Sequence, residues 1–251
     1  MTSSLMASRK AQAKATTLHA KASPDFAAKL AATESLLRRA AAEFAPLTQA
    51  SSLGAEDVVI THLINRLQLD IPVFVLETGA LHTETLALLE RTQAHSRAPV
   101  HVYRPEQASV MGFIRNEGQD AMYQSIPLRK ACCGIRKMEP LARALTGQRA
   151  WITGLRQEQS TARAEVPLLD DSEVTTRGLY KFNPLAPWTW GDVWHYIAVH
   201  QVDYNPLHDQ FFPSIGCAPC TRAISLGEEF RAGRWWWEDE SAKECGLHVK
   251  P

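Results

Sequence analysis

The sequence has no apolar run approaching the roughly 20 residues that a membrane-spanning helix needs. Its longest apolar stretches are short and broken by His, Pro or charge. It carries no excess charge of either sign, since 27 Lys and Arg balance 27 Asp and Glu. Neither a broadly basic nucleic-acid surface nor a membrane partner is therefore expected. Cysteine is scarce and odd in number, five in 251 residues, which argues against a secreted disulfide scaffold. Acidic residues are absent from Met1–Ala22, where Arg9, Lys10, Lys14 and Lys21 lie among Ser, Thr and Ala. That composition suits either an organellar transit peptide or a disordered tail, and residues 1–22 are read as a tail. No apolar core precedes a cleavage site, so a secretory signal is excluded.

What remains has the composition of a globular protein, 45% hydrophobic and 22% charged. Residues 23–251 are read as one domain, with a mobile C-terminal segment over residues 238–251. Ser23-Pro24-Asp25 reads as a helix start, a cap followed by Pro, with apolar residues at helical spacing up to about Phe44. Strands are expected at Leu47–Ser52, Pro72–Glu77, Pro99–Tyr103 and Ala150–Thr153. Helices are expected at Ala55–Leu67, Thr83–Thr92, Leu128–Leu145 and Gly191–His200. The alternation implies βαβ units, an α/β fold with a parallel sheet flanked by helices, and an irregular segment after Trp188.

Two loops follow expected strands, where α/β folds bind anions. The first, Ser51-Ser52-Leu53-Gly54-Ala55-Glu56-Asp57, offers two hydroxyls, a glycine and a helix N-terminus. It lacks the Gly-Lys-Ser/Thr of a Walker loop, which disfavours that ATPase or GTPase chemistry. Glu56 and Asp57 are equally readable as charges favoured in a first helical turn. The second loop is Leu76-Glu77-Thr78-Gly79. Each is weak alone, and together they make a nucleotide site plausible.

The cysteines are more informative. Cys132 and Cys133 are adjacent, Cys217 and Cys220 form a C-x-x-C, and Cys245 stands alone near the end. Four thiolates gathered by the fold suit zinc or an iron–sulfur cluster, and the C-x-x-C alone suits a redox dithiol. Adjacent ligands diverge on a helix, which favours a cluster with separate irons over a single zinc ion. Lys137, four residues after Cys133, falls on the same face of an unbroken helix. Cys245 is a candidate nucleophile or an inert thiol. Arg156, Arg163, Arg222, Arg231 and Arg234 supply forks that grip phosphate or sulfate, or else serve as surface charge. Of Trp235-Trp236-Trp237, at least one is expected to pack beneath the terminal tail.

These segments, in this order, resemble the cluster-bearing adenylyl-sulfate (APS) reductases among the assimilatory sulfonucleotide reductases. The matching stretches are S-S-L-G-A-E-D at 51–57, L-E-T-G at 76–79 and the Cys-Cys stretch at 130–137. They continue with W-I-T-G-L-R-Q-E-Q-S-T-A-R at 151–163, K-F-N-P at 181–184 and I-G-C-A-P-C-T-R at 215–222. Residues 231–238 and E-C-G-L-H at 244–248 complete the match, which spans about residues 45–250. Leu53 stands where many members carry another Ser, and Glu77 replaces a frequent Asp.

The resemblance implies an adenine nucleotide α-hydrolase-like fold and a four-iron four-sulfur (4Fe-4S) cluster on Cys132, Cys133, Cys217 and Cys220. It implies Cys245 as the catalytic thiol, assisted by Lys137. Adenine would be read by backbone near Leu76 and Gly154. Phosphate and sulfate would be held by the loop Ser51, Ser52, Gly54, Ala55, Glu56 and Asp57 and by Lys137, Arg163, Arg231 and Arg234, with Thr78 and Gly79 also among the substrate-binding residues. The implied reaction turns APS into sulfite and AMP through an S-sulfocysteine. With no thioredoxin-like domain before Pro251, thioredoxin or a glutaredoxin-like dithiol protein is the expected external reductant. A homo-oligomer in the cytoplasm is expected. The 3′-phosphorylated substrate (PAPS) remains open. So does an ATP pyrophosphatase-type enzyme, although its usual S-G-G-x-D-S loop is not matched.

Overall fold

The computed structural model describes residues 14–225 and 227–239. The helices are α1 (Ala15–His19), α2 (Phe26–Glu43), α3 (Ala55–Arg66), α4 (Thr83–His95), α5 (Gln107–Glu117), α6 (Ile126–Cys133), α7 (Glu139–Leu145), α8 (Val174–Arg177) and α9 (Trp190–His200). The strands are β1 (Leu47–Ser51), β2 (Val73–Leu76), β3 (Val100–Tyr103), β4 (Ala150–Ile152), β5 (Leu169–Asp170) and β6 (Tyr180–Phe182). They form one sheet in the order β3-β2-β1-β4-β6-β5, parallel except for β5. The four expected strands are β1 to β4. β5 and β6 add an edge that the apolar pattern did not announce.

β1 leads outward to β2 and β3 on one side, and β4 lies on its other side. The chain therefore reverses direction across the sheet between β1 and β4. In open parallel sheets that reversal opens a crevice beyond the strand C-termini. The main core is built from Val58, Val59, Ile60, Leu63, Val73, Val75, Ile152, Phe182, Trp188 and Trp194, all buried. It covers the sheet with α3 and α9 and holds the crevice walls in place.

Two expectations shift. The tail does not run to residue 22, because residues 15–19 are helical and Ala15 is fully buried. The Ala15 amide donates to Asp209 (2.7 Å), Lys21 to the Gly191 carbonyl (3.2 Å) and Ser23 to Asp192 (2.7 Å). His19 packs on Trp190 and Trp194. The earlier part of the expected tail lies outside the described residues. Ser23 also does not cap α2, whose N-cap is Asp25; its hydroxyl instead donates to Asp192, the capping-box partner in α9.

The expected helix 128–145 is present but not uniform. A π-helical turn, Gly134–Met138, joins α6 to α7 immediately after the adjacent cysteines. Such i→i+5 insertions rotate the following side chains out of α-helical phase and are frequent at functional sites. The phase argument that placed Lys137 over Cys133 therefore does not apply here.

Candidate active site

The crevice is lined from β1 by Ser51, Ser52 and Gly54, from β2 by Leu76 and Thr78, and from β4 by Thr153 and Gly154. Its far wall comes from Ile215, Gly216 and Cys217 and from Phe230, Arg231, Arg234 and Trp235. Lys137 and Arg163 reach it from separate elements. Segments far apart in sequence thus meet because the parallel strands all point their C-termini at one edge.

Within the first loop the two serines have different tasks. The Ser51 hydroxyl accepts from the Leu53 amide at 3.2 Å. The Ser52 amide and hydroxyl both donate to Asp57 Oδ2, at 2.6 and 2.7 Å. Leu53 is buried at φ 61°, a conformation costly for a branched side chain, and turns the loop toward Gly54. Gly54 caps α3 without any side-chain hydrogen bond. The first amides of α3 thus face the crevice with no side-chain cap, the arrangement that binds anions.

Glu56 and Asp57 are not solvated first-turn charges. Glu56 Oε1 accepts from Arg156 Nε (2.8 Å) and Gln159 Nε2 (2.9 Å). Burial pushes the Asp57 carboxyl up to about 6, against the hydrogen bonds from Ser52 and the Gly154 amide that favour its ionised form. Gly154 has no room for a side chain, since a Cβ would collide with Asp57 Oδ1 and lie 2.9 Å from Glu56 Cβ.

Among the arginines, the partners each one meets decide which face the crevice. Arg156 is 1% exposed, paired with Glu56 and Glu158, and carried over Trp190 and Phe230. Arg222 is paired with Glu228. Both are spent on the scaffold. Arg163 lines the crevice and donates to Gln159 Oε1 at 2.6 Å. Arg234 lies flat on Gly216, where a Cβ would stand 2.5 Å from Nη2. Of the expected substrate contacts, Ala55 is buried in the core and Gly79 is exposed away from the crevice. Gly79, at φ 68°, leaves space for Arg136, which donates to the Thr78 carbonyl at 2.7 Å.

The cysteine pairs meet at the mouth of the crevice. Cys132 and Cys133 end α6, and Cys217 and Cys220 bound a 3-10 turn. The Leu81–Cys217 bridge and the Ala218 amide on the Ala80 carbonyl (2.7 Å) hold that turn against the second loop. Thr78 Oγ1 lies 3.2 Å from Cys217 Sγ. These four cysteines are free thiols, three of them buried. Burial pushes the Cys220 thiol up to about 12, aided by Cys217 and Cys133 and opposed by Lys137. Burial also raises Cys132, with Cys217 adding to it and Arg136 and Lys137 opposing. Each of the four thiols thus acts on at least one of the others, Cys132 with Cys217 and Cys220 with Cys217 and Cys133, and Lys137, 9% exposed, is felt at both pairs.

Among the described residues no three His, Cys, Asp or Glu side chains close on a single point as one ion would require. The two cysteine pairs supply the soft sulfur donors that zinc or an iron–sulfur cluster takes. Buried thiols that resist ionisation as neighbours would be held as thiolates by a bound metal cation. Cys245 lies outside the described residues. Thr153, Gly216 and Trp235 were missed as crevice residues. Thr153 at a strand end and the Gly before the C-x-x-C were the available signals.

A switch-point crevice with a helix start that has no side-chain cap, beside two pairs of free cysteines, is the form of site that nucleotide-binding α/β domains use. Comparison with known proteins narrows this. The family model for the phosphoadenosine phosphosulfate reductase domain matches residues 46–223, and the chain belongs to that family. Curated relatives include the adenosine 5'-phosphosulfate reductase of Allochromatium vinosum, 51% identical over 87% of this chain and 84% of the relative. That of Burkholderia cepacia is 46% identical over 90% of each. The phosphoadenylyl-sulfate reductase of Candida auris, solved as a phosphate complex, aligns with TM-score 0.65 and 26% identity over 77% of this chain and 90% of that one. The FMN adenylyltransferase of Candida glabrata aligns with TM-score 0.56 over 92% of this chain and 81% of that one. At 12% identity it speaks for the adenine nucleotide α-hydrolase-like fold alone.

Proposed function

We propose that this protein reduces adenylyl sulfate to sulfite and AMP, with electrons from an external dithiol protein of the thioredoxin or glutaredoxin type. The observation that carries the reading is that Lys137 and Cys217 belong both to the crevice and to the four-thiol centre. An anion site and a sulfur centre therefore share one wall.

In this reading the α3 amides and the Ser51 hydroxyl hold the nucleotide phosphate. Arg231, Arg234 and Lys137 neutralise the sulfate. The Cys245 thiolate attacks the sulfate sulfur. The bond from sulfur to the bridging oxygen breaks, and its electron pair leaves with AMP, whose phosphate the loop already stabilises. A thiolate of the dithiol protein then attacks the Cys245 sulfur, and sulfite departs with the bonding pair. The second thiol resolves the mixed disulfide, so both electrons come from the dithiol.

Cys132, Cys133, Cys217 and Cys220 would hold the 4Fe-4S cluster. When bound, that group supplies a fixed charge that tunes the field beside Lys137. Buried thiols and cluster ligation fit a reducing compartment. Assay with each nucleotide and reduced thioredoxin tests the reading. APS turnover above PAPS turnover is expected, and sulfite from neither overturns it. Faster turnover of PAPS would assign the chain to the chemistry named for the Candida auris relative.

A further inference from the structure

Arg129 is fully buried, yet nothing in the reaction above uses it. It stands on α6, four residues before Cys133. Its guanidinium forms a two-bond fork with Glu238, Nε to Oε1 at 2.9 Å and Nη2 to Oε2 at 2.7 Å. The Glu238 side chain is only 3% exposed, although the sequence placed this residue at the start of a mobile segment. Arg129 also hydrogen-bonds Cys133. Its guanidinium carbon lies 4.7 Å from the Trp235 ring centre, and that of Arg234 lies 4.8 Å from the same ring. One cation thus touches the thiol centre, the crevice wall and the last described stretch of chain.

A buried ion pair is weak evidence for stability, because desolvating both charges offsets most of their attraction. Its geometric effect is stronger. A bidentate fork fixes both partners in direction as well as distance. Here the fixed point is the root of the segment that bears Cys245, seven residues beyond Glu238. Seven residues of extended chain reach about 25 Å. A thiol on so short a tether attacks as an intramolecular group only if its root is held at the crevice.

Resting on the reductase reading, we propose that Arg129 and Glu238 form a positioning clasp. It roots the Cys245-bearing segment beside the crevice and ties delivery of that thiol to the helix carrying Cys132 and Cys133. Neither residue touches the reacting atoms. Both act through where they place Cys245, Trp235 and Arg234.

The test uses the full-length, iron-loaded protein and the variants Glu238→Ala, Glu238→Asp and Arg129→Lys. Three quantities are read: iron and labile sulfide per chain, the Kd for AMP, and the single-turnover rate of Cys245 sulfonation by APS without dithiol. For Glu238→Ala the expected sulfonation rate falls about tenfold, while iron content and AMP affinity stay within about twofold. Glu238→Asp, which keeps the charge, recovers much of the rate. Alkylation of Cys245 by iodoacetamide becomes faster than in the unaltered protein, since losing the clasp releases the root of the segment and that reagent needs no docking. An unchanged sulfonation rate in Glu238→Ala overturns the clasp. So does a parallel loss of iron and AMP binding, which would make the pair a structural brace. Arg129→Lys keeps a charge but loses the fork, so a normal sulfonation rate there also overturns it. If the unaltered protein is never sulfonated, the reductase reading fails instead. The clasp is then judged by the alkylation arm, where equal rates in Glu238→Ala and the unaltered protein reject it.

Discussion

Asp57 holds both the amide and the hydroxyl of Ser52, so the Ser52 proton is spent inside the loop. Ser51, whose oxygen accepts from Leu53, has its own proton to give. The two serines that look equivalent in sequence should therefore separate on substitution. Ser51→Ala should weaken AMP binding about tenfold, the size of a lost hydrogen bond to a charged group, with little change in melting temperature. Ser52→Ala should chiefly lower the melting temperature, because it strips a partner from a buried carboxyl. Calorimetric titration beside thermal melts checks this, and equal effects of the two variants on both measurements would contradict it.

The Asp57 carboxyl sets a pH dependence with a definite sign. Burial, with a lesser contribution from Glu56, holds it at about 6 in the folded chain, above its ordinary value of 3.8. A raised value means the fold prefers the protonated form. Its stabilising contribution is complete below the ordinary value and is lost as pH rises through about 6. The difference corresponds to about 3 kcal/mol across that window. Urea midpoints taken from pH 4 to 7 should fall through this range for the unaltered protein and fall less for Asp57→Asn. Parallel profiles would remove Asp57 as the source.

Gly154 predicts a steric failure rather than an electrostatic one. A methyl group there meets the Asp57 carboxylate and the Glu56 side chain. Both carboxylates are anchored, so neither can yield without breaking the Ser52 or Arg156 contacts. Gly154→Ala should cost about 1–3 kcal/mol of stability and weaken AMP binding by more than about tenfold. A variant that binds AMP normally would show that the β4 end does not shape the nucleotide site.

Legibility in the sequence followed the range of the deciding interactions. β2, β3 and β4 were readable as short, mainly apolar runs, whereas β1, Leu-Thr-Gln-Ala-Ser, was read from its place before the Gly54 turn and the helix that follows. α5 was not, since none of its residues is buried and its short apolar stripe, Val110, Phe113 and Ile114, is only partly covered. β6 is three residues long and owes its pairing to β4 and β5. α1 escaped notice because its partners, Asp209 and the start of α9, lie far along the chain. The anion loop was visible as Ser51-Ser52-Leu53-Gly54, yet which serine keeps its proton depends on Asp57. Arg156 and Arg163 look alike in sequence. Glu56, a hundred positions away, takes the first for the scaffold. The cysteine pairs were legible as pairs. The π turn that sets the phase of Lys137 beside them was not.

The most direct measurement is intact and peptide mass analysis of the anaerobically purified protein after mixing with APS and no reductant. One SO3 group should appear on the peptide containing Cys245, with one equivalent of AMP released, and the adduct should vanish as sulfite when reduced thioredoxin is added. Cys245→Ser should bind nucleotide and gain nothing. AMP release and sulfite formation with no adduct on Cys245, or undiminished turnover in Cys245→Ser, would contradict the account.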